Sequence, residues 1–370
     1  MSGIATGDTA HAQAVQLPLI PASGKQEPAG DTAAVTSQEP LERLSLTRHL
    51  HTCNHNVPSQ CVSVADVAAR YRRVDAIIIE NHNDYQPPVV AAPPDGPLVL
   101  PGKESATPIH SRQHPLALQH AGILGVDAVQ QRTLKITMTE PTAVTLQKVH
   151  RAGGDLVYNH PEYPYIQTAG SSARALAYTV PTDEAKLFDA VELFNDAGFK
   201  GGNPANVLRW VEQNFYNQGV FPAIVAGQDD HGPAPISAHP TYTLAMVHHR
   251  READIMEAIR ARHTFVSKSL DAQLAMSMDG KSTWERNGPV VPGQHRFSTS
   301  LSGLPEGAVI EIVRSGEVIG RTVAKDGHGE LSLSLDVPAA NKRADYLYVR
   351  VWTSPGQLHT VGSAVPLNAG

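Results

Sequence analysis

Short apolar runs alternate with helical segments over residues 43–268, and the runs end in polar motifs that carry histidine. LSLTRHLHT reads as a strand ending in histidines. SVADVAARYRRV places Val64, Val67, Ala68 and Tyr71 on one helical face, and AIIIE reads as a buried strand followed by NHND. TAVTLQKVHRAGG is helical with glycine at its end, LVY is a short strand, and NHP follows. DAVELF and AIVAG read as strands on either side of the helix PANVLRWVEQNFYNQG; READIMEAIRAR is a helix and HTFVS a strand. This alternation predicts an α/β fold with a largely parallel sheet, in which ligands bind at the carboxyl ends of strands. From about residue 269 the pattern changes to period 2 with Gly-containing turns, as in IEIVRSGEVIGRTVA and YLYVRVWT, which predicts a small antiparallel β-sandwich over 269–370. Residues 1–42, rich in Ala, Gly, Thr, Gln and Pro without periodicity, read as a flexible leader.

Composition narrows the function classes. The chain has 30 basic and 36 acidic residues for a formal charge of −6, a poor balance for a general nucleic-acid or membrane-surface binder. No apolar stretch approaches 18 residues, and the first residues lack the basic and apolar regions of a secretory signal, so localisation stays open. Glycine-rich phosphate-binding loops and nucleotide fingerprints are absent. Two cysteines, Cys53 and Cys61, allow one bridge or two inert thiols, but no thiolate zinc site. Histidine, at 18 of 370 residues, is in excess, and neutral imidazole is the commonest metal ligand.

The order of the histidines locates a site. His49 and His51 form an HxH whose period-2 spacing puts both imidazoles on one strand face. His82 closes the AIIIE strand, and Glu104 follows a Pro-Gly turn in LVLPGKES. His114 stands in SRQHP with His110 and His120 as flanking alternatives, His160 in NHP, and Asp229 and His231 form a DxH whose middle residue, Asp230, points away. Such nitrogen and oxygen donors suit divalent transition ions, and a carboxylate can bridge two of them. Asn195 in VELFN is a candidate pocket residue, and Tyr85 a candidate substrate contact.

This series resembles the polymerase-and-histidinol-phosphatase (PHP) superfamily, and within it the CehA/McbA-like metallohydrolases. The similarity spans roughly 45–370 and includes LPGKE, GGDLVYNHP, AVELFN, AGQDDHG and MEAIRARHTFVS. The resemblance implies a distorted (β/α)7 barrel holding two or three divalent ions, Zn, Mn or Fe. It places His49, His51, Glu104 and Asp229 around a first ion. Glu104 would bridge to a second held by His114 and His160, and His82 and His231 would face a third ion or transfer protons. This chain departs from the family: its usual Asp-Leu-His-x-His is Thr47-Arg48-His49-Leu50-His51 here, its Thr-Asp-His is Glu80-Asn81-His82, and His55 is the nearest match to a further ligand.

The implied chemistry is hydrolysis by a metal-bound hydroxide of a phosphoester, carboxylic ester or carbamate in a small-molecule substrate. An amidohydrolase-like metal-dependent hydrolase is the alternative enzyme, although such barrels want a mid-barrel lysine where this chain offers Glu104. A catalytically degenerate barrel that binds metal or a ligand is the non-enzyme alternative.

Overall fold

The structure, a computed structural model, describes residues 40–52, 61–82, 95–109, 117–126, 142–161, 165–166, 179–195, 203–231, 240–286, 288–339 and 343–368. His55, Cys53, Tyr85, His110 and His114 lie outside the described residues. Cys61 is disulfide-bonded, and Cys53 is the only other cysteine in the sequence.

The amino-terminal part contains β1 (Glu42–His51), β2 (Ala76–His82), β3 (Leu98–Ile109), β4 (Ala117–Leu124), β5 (Asp155–Tyr158), β6 (Tyr165–Ile166), β7 (Ala190–Asn195), β8 (Ala223–Gly227), β9 (Asp230–His231), β10 (Tyr242–Val247) and β11 (Thr264–Ser267). The helices are α1 (Val64–Arg70), α2 (Thr142–Arg151), α3 (Thr182–Ala185), α4 (Pro204–Asn214) and α5 (Glu252–Arg260). Local chemistry explains their ends. Ser63 and Asp66 form a reciprocal capping box at the start of α1, a device worth about 1 kcal/mol. Asn203 caps α4 with Pro204 in its first turn, where a missing N–H costs nothing. Val207, Leu208, Trp210 and Val211 of α4 enter one apolar cluster with Tyr158, Phe188, Phe215 and Tyr216; Ile255, Met256 and Ile259 of α5 enter another beneath β1, β2 and β8.

The sheet is mixed, not largely parallel. Strands run in the order β5-β7-β8 and β1-β2-β3 in parallel, but β4 lies antiparallel between β3 and β5, and β10 lies antiparallel on the other side of β1. The PG of LPGKE is not a turn. Pro101 and Gly102 sit inside β3, opposite Ile79 and Glu80, and the missing side chain of Gly102 leaves the space that the Glu80 stem fills. The segment after β8 returns to β1: Gln228 N donates to Arg48 O (3.0 Å), and Leu50 and His51 pair in parallel with Asp230 and His231 of β9. The carboxyl ends of β1 and β8 are thereby brought together.

The remaining strands are β12 (Gln273–Met278), β13 (Lys281–Ser282), β14 (Gly293–Ser302), β15 (Val309–Arg314), β16 (Glu317–Val323), β17 (Gly329–Val337), β18 (Tyr346–Ser354), β19 (Gln357–Gly362) and β20 (Val365–Pro366). Strands β13-β12-β14-β17 form a separate antiparallel sheet, whereas β16-β15-β18-β19 continue the large sheet because β19 pairs with β11. Met276, Met278, Phe297 and Leu335 of the small sheet share a core with Ile310, Ile312, Leu347 and Val349 of the large one. Among the described residues no helix is long and apolar enough to cross a membrane.

Candidate metal centre

The carboxyl ends of β1 and β2, the middle of β3, the residues just after β5 and the turn from β8 into β9 bring the sequence motifs to one place. Alternation along a strand brings His82 opposite Glu104 across β2 and β3, and β4 sets Gly122 opposite Glu104. Regular alternation does not explain the HxH. The register of β1 against β2 shifts between Thr47 and Leu50, and His49 takes a left-handed φ of 59°. Asp229 (φ 51°) and His160 (φ 25°) are left-handed too. Such backbone costs about 1–3 kcal/mol per residue for non-glycine side chains and persists where the surroundings over-determine it. Three candidate donors share this strain.

Glu104, buried at 1% exposure, is the hub. Its Oε1 lies 3.0 Å from His49 Nε2, 2.9 Å from His120 Nδ1 and 3.1 Å from His160 Nε2. Its Oε2 lies 3.4 Å from His51 Nε2 and 3.3 Å from His82 Nδ1. Asp229 Oδ1 is 3.4 Å from Nε2 of both His49 and His51, and His231 Nε2 stands 3.3 Å from His82 Nε2. Three overlapping donor groups result: His49, His51, Glu104 and Asp229; His82, Glu104 and His120; and His51, His82 and His231.

Nearness without hydrogen-bond geometry tests whether these residues fit a cation. His49 Nε2, both ring nitrogens of His51, Glu104 Oε2 and His160 Nδ1 are buried and lack a hydrogen bond, although donors and acceptors crowd around them. Uncompensated buried polar atoms are costly, so so many in one place need a shared partner. Ligands about 2.1 Å from a tetrahedral ion stand about 3.4 Å apart, as do His49 and His51 from Asp229 Oδ1 and His51 from Glu104 Oε2, each at 3.4 Å. Charge agrees. Glu80, Glu104, Glu192 and Asp229 are buried around a single buried guanidinium, Arg48, which leaves an excess of negative charge to be neutralised. Burial pulls the His49 imidazole down, but Glu104, Asp229 and Glu192 outweigh it and hold its pKa well above the usual value. His51 is pushed down to about 4 by burial and is a neutral donor at pH 7. Burial raises the Glu104 carboxyl, yet His49 and His120 hold it well below the usual range.

Of the residues singled out in the sequence, His49, His51, His82, Glu104, His160, Asp229 and His231 are gathered here, while His114 and His55 lie outside the described residues. His120 of β4, a flanking alternative to His114, joins them 2.9 Å from Glu104 Oε1. Asn195 donates to Glu192 Oε1 at 2.7 Å and approaches Asp229 Oδ2 at 3.5 Å. Asp230 points away from the donors but not to solvent: it is buried and accepts a hydrogen bond from Tyr71. Beneath the donors lie four residues the motif order did not reveal. Arg48 Nη1 donates to Glu192 (2.9 Å), and Nη2 donates to Glu80 and to Asn159 Oδ1 (2.7 Å).

No protein-family model and no curated protein matches the sequence. Solved structures that resemble the fold loosely include the following two. One is a two-domain protein from Bacteroides vulgatus containing a predicted PHP-like metal-dependent phosphoesterase, with 13% identity and a TM-score of 0.43 over 91% of this chain and 100% of that one. The other, from Bifidobacterium adolescentis, is a candidate metal-dependent phosphoesterase with 11% identity and a TM-score of 0.32, over 52% of this chain and 91% of that one.

Proposed function

We propose that this chain is a metal-dependent hydrolase of PHP type, of the CehA/McbA-like branch that its motifs resemble, with a distorted barrel as the reading of a sheet in which β9 returns to pair with β1. The observation that carries the proposal is Glu104, whose two carboxylate oxygens stand among five imidazoles while remaining buried. A carboxylate so placed could be shared between two cations.

His49, His51, Glu104 and Asp229 would hold one divalent transition ion, and His120, His160 and His82 would complete a second around Glu104. When bound, such ions lower the pKa of a coordinated water and stabilise developing oxyanion charge. The chain's own residues supply the rest. His49, His51 and Asp229 are closed off from solvent, which keeps the reacting centre's surroundings dry and strengthens every charge interaction there. His82 and His231 are 22% and 25% exposed, so they can reach a substrate. His231 Nδ1 lies 2.8 Å from the carbonyl oxygen of Asp229 and donates to it, which leaves Nε2 facing His82 and the open side. In its protonated form His231 can pass a proton from Nε2 to a departing oxygen. A small-molecule ester-type compound is the proposed substrate, whether phosphoester, carboxylic ester or carbamate.

The test is a panel of aryl phosphates, aryl carboxylic esters and aryl carbamates after reconstitution with Zn, Mn or Fe(II). Metal-dependent turnover of one class supports the proposal and selects the bond. Tight metal binding with no turnover of any class would move the chain to a binding role.

A further inference from the structure

Three glycines keep space clear for a buried charge network under the donors. A Cβ at Gly122 would stand 2.5 Å from Arg48 Nη2, 2.6 Å from Glu80 Oε2 and 3.0 Å from Asn159 Oδ1. One at Gly227 would stand 2.5 Å from Glu192 Oε1, and one at Gly102 2.7 Å from Glu80 Cγ. Arg48, Glu80 and Glu192 are themselves fully buried. Desolvation works against the Arg48 charge, and Glu80 and Glu192 more than offset it.

The network reaches two of the candidate ligands. Glu192 Oε2, which accepts from Arg48 Nη1, also stands 2.9 Å from His49 Nδ1. A carboxylate only accepts, so Nδ1 carries a proton toward Glu192, which would leave the Nε2 lone pair for a cation held beside Glu104 and Asp229. Asn159 Oδ1 accepts from Arg48 Nη2, so its amide nitrogen is turned toward Glu104 Oε1, at 3.3 Å. Glu80 Oε1 meanwhile accepts from the backbone N–H of His49 at 2.9 Å, holding the left-handed residue in place.

We infer that Arg48 is a positioning residue for the metal centre: one forked guanidinium orients His49 through Glu192 and Glu104 through Asn159. Lysine cannot replace it, because a single ammonium point charge does not hold three acceptors in the fork's plane. The inference rests on the donors being metal ligands, as proposed above.

The experiment measures zinc affinity by chelator competition on the folded full chain, for wild type, Arg48→Lys and Asn159→Ala. Circular dichroism and gel filtration first establish that each is folded. Partners that orient ligands typically contribute tenfold to a hundredfold in metal affinity. Arg48→Lys is expected to weaken the tightest site by about that factor, and Asn159→Ala by about the lower end of it. A purely structural network would shift the urea midpoint and leave the affinity of the folded protein unchanged, and that result overturns the inference. If Arg48→Lys does not fold, Asn159→Ala decides alone: wild-type affinity in that variant overturns the link to Glu104. A wild-type protein that binds no zinc would instead overturn the metal reading itself.

Discussion

Gly122→Ala probes the packing under the site with the smallest possible change. Gly122 lies in β4 without a left-handed φ, so its backbone accepts alanine and the effect is steric. The added methyl would sit 2.5 Å from Arg48 Nη2 and 2.6 Å from Glu80 Oε2, where ordinary contact begins near 3.4 Å. Each polar group must retreat by almost 1 Å, and neither has solvent to retreat into, since both side chains are 0% exposed. Overpacking a tight interior costs about 1–3 kcal/mol. Separating one partner of a buried ion pair costs about 3–5 kcal/mol when the pair is broken outright. A strained but surviving network therefore predicts a loss of about 2–4 kcal/mol. Urea unfolding of the chelated protein measures it as a fall in midpoint at constant slope, and zinc competition should show weakened binding beside it. An unchanged midpoint with unchanged zinc affinity would refute the placement of Arg48, Glu80 and Asn159 around Gly122.

Asp155 supplies a pH test away from the donors. Burial raises its pKa from 3.8 to about 6 against the pull of Arg260, and its Oδ2 has no hydrogen bond. Between pH 3.8 and 6 the folded chain then holds more protons than the unfolded one, so this group's contribution falls as pH rises and the cost is fully present above about 6. About two pKa units correspond to about 3 kcal/mol. Asp155→Asn should gain stability relative to wild type as pH goes from 4 to 8 in urea titrations, and parallel curves for the two proteins would contradict the assignment. His231→Gln should lower kcat by about 10²-fold or more on esters with poor alkoxide leaving groups and far less on nitrophenyl substrates, because only the former need a proton. Equal losses on both would remove His231 from proton transfer.

The elements legible in the sequence are those whose local pattern agrees with the tertiary outcome. AIIIE, AVELF and AIVAG are strands because continuous apolar runs need burial on both faces, and α1 and α4 begin at their caps. Strands β3 and β4 were not legible. Pro101-Gly102 carries a turn signal, and its strand conformation depends on a glycine gap that only Glu80 on the neighbouring strand makes necessary. The antiparallel insertion of β4 also changes the sheet from largely parallel to mixed and delivers His120. Most of the residues gathered around Glu104 were legible through motif order along the chain. Arg48, Glu80, Asn159 and Glu192 were not, because their bonds join residues 32, 111 and 144 positions apart. A signal was present nonetheless. Glu80 and Glu192 are charged residues within otherwise apolar buried strands, and such a residue requires a buried partner of opposite charge.

A metal centre organised by Glu104 has one decisive assay: equilibrium dialysis of wild type and Glu104→Gln against zinc, followed by metal analysis of the folded proteins. About two ions per wild-type chain are expected, with a loss of at least one in Glu104→Gln, since the amide nitrogen of glutamine cannot take the place of an anionic oxygen between cations. Wild-type protein that retains no ion, or a Glu104→Gln variant that retains the full complement at wild-type affinity, would contradict it.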